Sequence, residues 1–458
     1  MLVDTHAHLD DERFDTDRDE VIARALDAGV AFILCPGTNL DSSRRAVELA
    51  EKHDCLYAAV GVHPHDAAGM TAKDADELRR LAGHAKVVAV GETGLDYYRD
   101  LSPREVQAGA FRMQLELAAE LELAVIVHSR DAHADVESML REASVSGKLR
   151  GVLHCFSGGV DWAARAAAMG FYIGFAGPLT YENATNLERV AATIPVERAL
   201  VETDSPYLIP RPHKRSERCE PAYVRLVAEK LARIRKLSAT DVSRVTGLSA
   251  ARLFGIPSAD EIAKIAYVIR NSLYLNITNR CSNRCSFCIR QTSAHVKGHR
   301  LWLEREPTVE EIESAASDIR PYDEVVFCGY GEPTERLDVV KEVARWVKAG
   351  GKPVRLVTNG EGDLINKRSI AAELAGLVDR LSVSLNTADA EQHLVLCRSE
   401  FGREAYGAIL HFIERSKPFV PDIEITAVAA PGVDMNAVEE LARKIGVRFR
   451  PRQYNEVG

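Results

Sequence analysis

The sequence predicts an α/β protein in two parts: an eight-stranded TIM (β/α)8 barrel, then a smaller partial (β/α)6 barrel. Three observations carry this. The chain has 458 residues, more than the about 100–250 that one domain usually holds. Short apolar runs alternate with amphipathic segments along its length, the signature of βα units. The stretch FGIPSADE (Phe254–Glu261), with its Gly, Pro and Ser, interrupts that alternation and marks a boundary. The predicted division is residues 1–256, a linker at 257–272 and residues 273–458. A doubly wound open sheet is the alternative for the first part, but it has no reason to stop at eight strands.

In the first part LVDTHAHL reads as a strand, followed by a helix over 15–28. VAFILC precedes a helix at 42–52, LYAAVGV one at 72–82 and KVVAVGE one at 103–121. LAVIVHS precedes 132–143, GVLHCF 160–168, FYIGF 183–192, and RALVETD the long helical region 223–236. Eight units in about 250 residues match a TIM barrel in count and length. In the second part LYLNIT, EVVFCG, PVRLVT, RLSVSLN, DIEITAV and VRFR read as strands. Helices are expected at 308–319, 336–349, 369–375, 403–416 and 436–445. Six strands suit a partial barrel rather than a closed one.

Composition sets the context. With 46% hydrophobic and 27% charged residues the chain can bury large cores. Charge arrives at Asp4, so no secretory pattern opens the sequence, and no apolar run approaches the ~20 residues that span a bilayer. A soluble cytoplasmic protein is the expectation. Nine cysteines, an odd number, point to reduced thiols or a cofactor rather than disulfides. The net charge of −9 argues against a general nucleic-acid coat, yet two stretches are basic. Between Arg211 and Lys236 nine Lys/Arg face Glu217, Glu220 and Glu229; between Asn279 and Arg305 six face Glu304 alone. Such clusters suit anionic ligands, or equally solvated helix faces.

In the first part the polar residues fall at strand C-termini, where a barrel places its chemistry. His6 and His8 are two apart on strand one, so both side chains project to one face. Glu92 ends strand four, His128 strand five, His154 strand six and Asp204 strand eight. A lone histidine at a strand end is usually structural; four with two carboxylates are not so easily dismissed. Imidazoles and carboxylates suit divalent transition metals, and six donors are enough for two ions bridged by a carboxylate. Two ions ~3.5–4 Å apart can activate water and stabilise both oxygens of a phosphoryl displacement.

DTHAHLD, GVHPH, GETGLDYY, VIVHSRDA, HCFSG and ETDSPYL occur in that order between Met1 and Ile256, and together they resemble the TatD family of metal-dependent deoxyribonucleases. The resemblance implies one ion held by His6, His8 and Asp204, another by His128 and His154, and Glu92 between them. It makes Glu92, Asp204 and His63 the catalytic groups, with His63 and Arg130 toward substrate phosphate. The metal, Mg, Mn or Zn, stays open. Family members often carry R-N-E-P where this chain reads RCEP, so Cys219 puts substrate contacts there in doubt.

The stretch RCSNRCSFCIR places Cys281, Cys285 and Cys288 in C-x3-C-x2-C spacing directly after the first strand of the second part. Zinc is the competing reading, but structural zinc takes four ligands, usually as two C-x2-C pairs. Three thiolates suit a [4Fe–4S] cluster with one iron left open. With Phe287 before the last cysteine, and CGYGEP, VTNG and SVSLN at strand ends, residues 273–453 resemble the radical S-adenosylmethionine superfamily. That implies S-adenosylmethionine on the open iron, Glu332 at its amino group, and close backbone approach at Gly329 and Gly331. Thr358, Ser384 and Asn386 would hold carboxylate or ribose. The outcome would be a 5′-deoxyadenosyl radical. Cys328 and Cys397 read as isolated, so no auxiliary cluster is expected. Radical domains linked to TatD-type nucleases form a recognisable grouping.

The leading reading is therefore a bifunctional enzyme, a two-metal phosphodiesterase joined to a radical enzyme. Nucleic acid or a nucleotide is the expected substrate, with a reductant such as flavodoxin or ferredoxin. The alternatives are a metal-dependent deacylase or amidohydrolase, for example on aminoacyl-tRNA, and an inactive barrel that delivers substrate. The intact donor set counts against the last.

Overall fold

The computed structural model describes residues 1–147, 149–214, 217–258, 263–291, 294–296 and 298–452. Residues 259–262 of the expected linker, Arg215 and Lys297 of the basic stretches, and 453–458 lie outside the described residues. The chain forms two compact units, Met1–Ala259 and Asp260–Gly458.

In the first unit eight strands pair in chain order, all parallel: β1 Leu2–Asp4, β2 Val30–Pro36, β3 Leu56–Val60, β4 Val87–Asp96, β5 Ala124–Arg130, β6 Gly151–Leu153, β7 Tyr172–Phe175 and β8 Ala199–Val201. The chain just beyond β1 and β8 closes the ring. Asp204 N donates to His6 O at 2.8 Å and His8 N to Ser205 O at 2.7 Å. Parallel strands covered by helices are buried on both faces, and all ten residues of β4 are buried. The helices fall within a few residues of their expected bounds, for example Ala72–Ala82 and Val160–Ala168.

One further helix, Ala239–Phe254, was not expected. Its second half is buried continuously from Val245 to Ala251, so it shows no polar face to a periodicity reading. Ala250, Leu253 and Phe254 pack in one cluster with Val3, Leu34, Val88 and Leu200 of four strands. A Cβ on Gly247 would meet the Met1 carbonyl oxygen at 2.3 Å, so this helix lies at the N-terminal start of β1. It covers the end of the barrel away from His6 and His8.

The second unit contains β9 Ala266–Ile269, β10 Ser272–Leu275, β11 His295–Val296, β12 His299–Arg300, β13 Glu324–Phe327, β14 Val354–Thr358, β15 Arg380–Ser384, β16 Asp422–Val428 and β17 Arg448–Arg452. The main sheet runs β17-β16-β15-β14-β13-β10-β9. All six expected strands are in it and run parallel; β9 adds an antiparallel edge. This corrects the expected linker. Residues 266–269 are a strand, because Arg270 in the left-handed region (φ 55) lets a two-residue turn fold them back on β10.

The helix expected at 369–375 is also corrected. A 3-10 turn, Ala371–Leu374, follows a one-turn helix, Gly362–Ile365. The helix Ala390–Cys397 and the hairpin β11–β12 are additional. No helix among the described residues is long and apolar enough to cross a membrane.

Candidate functional site

At the C-terminal mouth of the barrel one carboxylate gathers five imidazoles. Glu92 Oε2 lies 3.3 Å from His6 Nε2 and 3.5 Å from His8 Nε2. Its Oε1 lies 2.8 Å from His128 Nδ1, 3.1 Å from His154 Nε2 and 3.5 Å from His63 Nε2. Asp204 Oδ1 joins the first set, 3.5 Å from His8 Nε2 and 3.8 Å from His6 Nε2. Glu92 therefore offers one oxygen to each of two adjacent donor sets. The Nε2 atoms of His6 and His8 stand 3.2 Å apart. Nitrogens sharing one ion at about 2.1 Å lie roughly 3–3.5 Å from each other, so the donors fit divalent metals.

Burial and the carboxylates pull the charges of this cluster in opposite directions. Burial alone would raise the Glu92 pKa, but His154, His63 and His6 hold the carboxyl well below its usual range. Burial opposes a cation at His8, yet Asp204 and Glu92 push it up to about 9. Burial holds His63 down to about 4, leaving a neutral imidazole, the form that can ligate a metal and still donate one N–H. Asp204 itself sits in the left-handed region (φ 58), a backbone cost tolerated where a side chain must be aimed. A cavity of about 480 Å3 opens from His8 past Asp10, Glu12, Arg45 and Tyr207. Arg130 is not in the cluster. It lies at the exposed rim, its guanidinium 4.0 Å from the centre of the Tyr98 ring. Cys219 is fully buried beneath the turn after β8, its N–H donating to Pro206 O, so its side chain is structural rather than a substrate contact.

In the second unit the loop after β10 carries the three cysteines, all partly buried, with Cys288 N donating to Cys285 O at 3.0 Å. Burial pushes the Cys281 thiol up to about 12 and raises that of Cys288. Phe287 is half-buried within the same loop. The buried Nε atoms of Arg290 and Arg452 have no hydrogen-bond partner among the described residues, and the Arg452 charge lies within reach of Cys285 and Cys288. Three thiolates with unmatched guanidinium nitrogens suit an anionic iron–sulfur group.

Glu332 is buried and accepts from Thr358 Oγ1 at 2.8 Å and Asn359 N at 2.6 Å. Thr358 thus holds Glu332 in place. Ser384 Oγ accepts from Arg452 at 3.3 Å, and Asn386 Oδ1 accepts from Val428 N at 3.2 Å, tying β15 to β16. Gly329 and Gly331 lie in close backbone packing. A Cβ on Gly331 would meet Arg280 O at 2.3 Å, and one on Gly329 would meet Asn276 Oδ1 at 2.1 Å. Both glycines seat the end of β13 against the strand and loop that lead to Cys281.

Residues 3–255 match the family model for TatD related DNase, and residues 275–445 that of the Radical SAM superfamily. The chain belongs to the TatD-related DNase family. It carries that domain fused to a radical SAM domain. It is 43% identical over 256 residues to the metal-dependent hydrolase YabD of Bacillus subtilis, covering 56% of this chain and 100% of that one. It is 41% identical over 258 residues to the 3′–5′ ssDNA/RNA exonuclease TatD of Cronobacter sakazakii, covering 55% and 97%. Among solved structures, YjjV, a TatD homologue from Escherichia coli K12, superposes with a TM-score of 0.53 at 32% identity, over 56% of this chain and 98% of that one.

Within this TatD–radical SAM chain four groups escaped the sequence reading. Glu202 Oε1 is 3.4 Å from His154 Nδ1 and accepts from Cys155 N at 2.5 Å. Asp96 Oδ2 is 3.2 Å from His128 Nε2 and 2.9 Å from His65 Nε2. Each carboxylate sits behind a histidine that faces Glu92. Their signal lay in ETD and GLDYY, but nothing in the spacing separates an outer carboxylate from a donor. Glu361 accepts from Ser282 Oγ at 2.5 Å and bolts the cysteine loop to the end of β14. Cys397, expected to be isolated, is buried in hydrogen-bond contact with Cys285. Backbone bonds from Arg284 N to Cys397 O (3.0 Å) and Ser286 N to Leu396 O (2.9 Å) hold them side by side, a contact made across more than a hundred residues of sequence.

Proposed function

We propose that the barrel is a two-metal 3′–5′ exonuclease on single-stranded nucleic acid and that the second unit is a radical enzyme acting on a nucleic acid or nucleotide. The observation that carries the first half is Glu92, one oxygen toward each histidine set. Two divalent ions bound there would supply Lewis-acid polarisation of the phosphodiester and of water. His6, His8 and Asp204 would hold one, His128, His154 and Glu92 the other. Asp204, aimed into the mouth, would take a proton from the attacking water. Neutral His63 would donate to a phosphate oxygen, and Arg130, braced on Tyr98, would neutralise the next phosphate along the strand.

In the second unit Cys281, Cys285 and Cys288 would hold a [4Fe–4S] cluster, which with S-adenosylmethionine supplies a 5′-deoxyadenosyl radical after reduction by a flavodoxin- or ferredoxin-like donor. Glu332, fixed by Thr358, would receive the cofactor's amino group; Ser384 and Asn386 would face its ribose or carboxylate. The test is anaerobic purification followed by metal analysis and digestion of a single-stranded oligonucleotide. Up to four irons per chain and stepwise 3′ shortening are expected. Stoichiometric zinc without iron, or an oligonucleotide left intact while aminoacyl esters are cleaved, would overturn the corresponding half.

A further inference from the structure

Beside the cysteine loop lies a cavity of about 1160 Å3 with Cys281 and Cys288 in its wall. That is at or above the top of the about 300–1,000 Å3 range of small-molecule pockets. Arg280, Arg284, Arg290 and Arg398 line it, against Glu335 and Glu400. Arg280 is occupied, 2.8 Å from Glu306 and 3.5 Å from Glu335. Arg284 and Arg398 are exposed and have no carboxylate partner among the described residues. They are nonetheless fixed near each other. The loop ending the helix Ala390–Cys397 is stitched to the cysteine loop by Arg284 N to Cys397 O and Glu400 N to Ser282 O, at 3.0 and 2.9 Å. Arg398 closes that helix in the left-handed region (φ 48). Four arginines against two carboxylates leave this wall an excess of positive charge, which favours an anion.

The same cavity contains Trp302, 44% exposed, with its ring edge-on to Tyr330 and Arg290 on one side at 5.9 Å. An exposed indole beside arginines is a platform on which a base stacks. We propose that this cavity binds a single strand of nucleic acid, phosphates on Arg284 and Arg398 and a base on Trp302, so that the radical half acts on a nucleotide within a strand. The proposal deepens the radical-enzyme reading and rests on it. A concave wall with an aromatic platform favours a nucleic acid over an acidic electron-donor protein, which would meet the same charges.

The experiment uses the full chain, reconstituted anaerobically, with Glu92→Gln to keep the probe intact. A single-stranded RNA carrying 4-thiouridine is photocrosslinked and the attached peptides are identified by mass spectrometry. The expected crosslinks include the peptide containing Trp302. Trp302→Ala should lower that yield roughly tenfold, the effect of removing one stack. Arg284→Ala with Arg398→Ala should lower it and also flatten its dependence on log salt by about 0.7 for each phosphate no longer neutralised. Crosslinks confined to residues 1–256 would overturn the proposal. So would variants that keep the crosslink but lose reduction by an acidic flavodoxin, since the cavity would then be a donor's docking face. Formation of 5′-deoxyadenosine under dithionite, measured without RNA, separately decides whether the second unit does radical chemistry at all.

Discussion

At the scale of single residues, Glu92 and the carboxylates behind its histidines do different work. Glu92→Gln keeps the shape but removes the charge that two donor sets share. Bound metal should be lost and hydrolysis of single-stranded DNA should fall by more than the roughly 10–100-fold typical of an outer-shell change. Metal analysis and an unchanged circular dichroism spectrum check this; near-normal turnover would sink the shared-carboxylate assignment. Glu202→Gln should cost about 10–100-fold in metal affinity, because His154 Nδ1 loses the anion 3.4 Å away that orients its ring. Titration with Mn2+ or Zn2+ reads that directly, and wild-type affinity would leave Glu202 to its bonds from Cys155 N and Thr5 Oγ1. His63→Ala discriminates a contact from a ligand. With Nε2 3.5 Å from Glu92 Oε1 it is close enough for either role. Rate is expected to fall with metal content retained; metal loss equal to that of Glu92→Gln would make it a ligand.

Secondary-structure elements place these side chains through where they end. Barrel strands carry donors toward their C-terminal ends, Glu92 and His128 within β4 and β5 and His6, His8, His154 and Asp204 just beyond β1, β6 and β8. The helix Ala239–Phe254 leaves that mouth open by covering the opposite end. In the second unit the end of β13 fits against the cysteine loop only because positions 329 and 331 lack a Cβ. Gly331→Ala would drive a methyl toward Arg280 O and Thr278 O, at 2.3 and 2.5 Å. Such overpacking costs about 1–3 kcal/mol, roughly 2–12 °C in the melting temperature of a unit this size. Iron incorporation should fall with it, since Cys281 follows Arg280 directly. An unchanged melting temperature with full iron would show that the loop relaxes freely. Three members of the first basic stretch are salt-bridged surface groups: Arg218 pairs with Asp17, Arg225 with Glu229 and Lys230 with Glu188.

For the whole molecule, each candidate site draws its donors from a single unit, histidines and carboxylates within Met1–Ala259 and thiols within Asp260–Gly458. The two chemistries should therefore separate. Cys281→Ala/Cys285→Ala/Cys288→Ala should still shorten oligonucleotides, and Glu92→Gln should still release 5′-deoxyadenosine under dithionite. Measuring both activities in both variants tests this. A hydrolase that stops when only the cysteines are removed, with its melting temperature unchanged, would show that the units complete each other. If they are separable, joining them raises the local concentration of a shared strand.

The sequence by itself determined the two βα alternations, most of their strands and the candidate donor residues. Period-two placement, strand-end position and cysteine spacing are local properties that survive without a fold. His6, His8 and Glu92 could be read that way because a barrel brings all its strand ends to one mouth. Only the tertiary structure decided what lies behind and between them. The helix Ala239–Phe254 lost its pattern to the continuous burial of Val245–Ala251, and β9, a four-residue apolar run beside the boundary, becomes a strand only by pairing with β10 through a turn. Glu202 behind His154, Asp96 behind His128, Cys397 against Cys285 and the glycines of β13 against Arg280 are contacts between segments far apart in the chain. No spacing rule encodes them, because which far segments meet is set by how the sheets close and the loops pack.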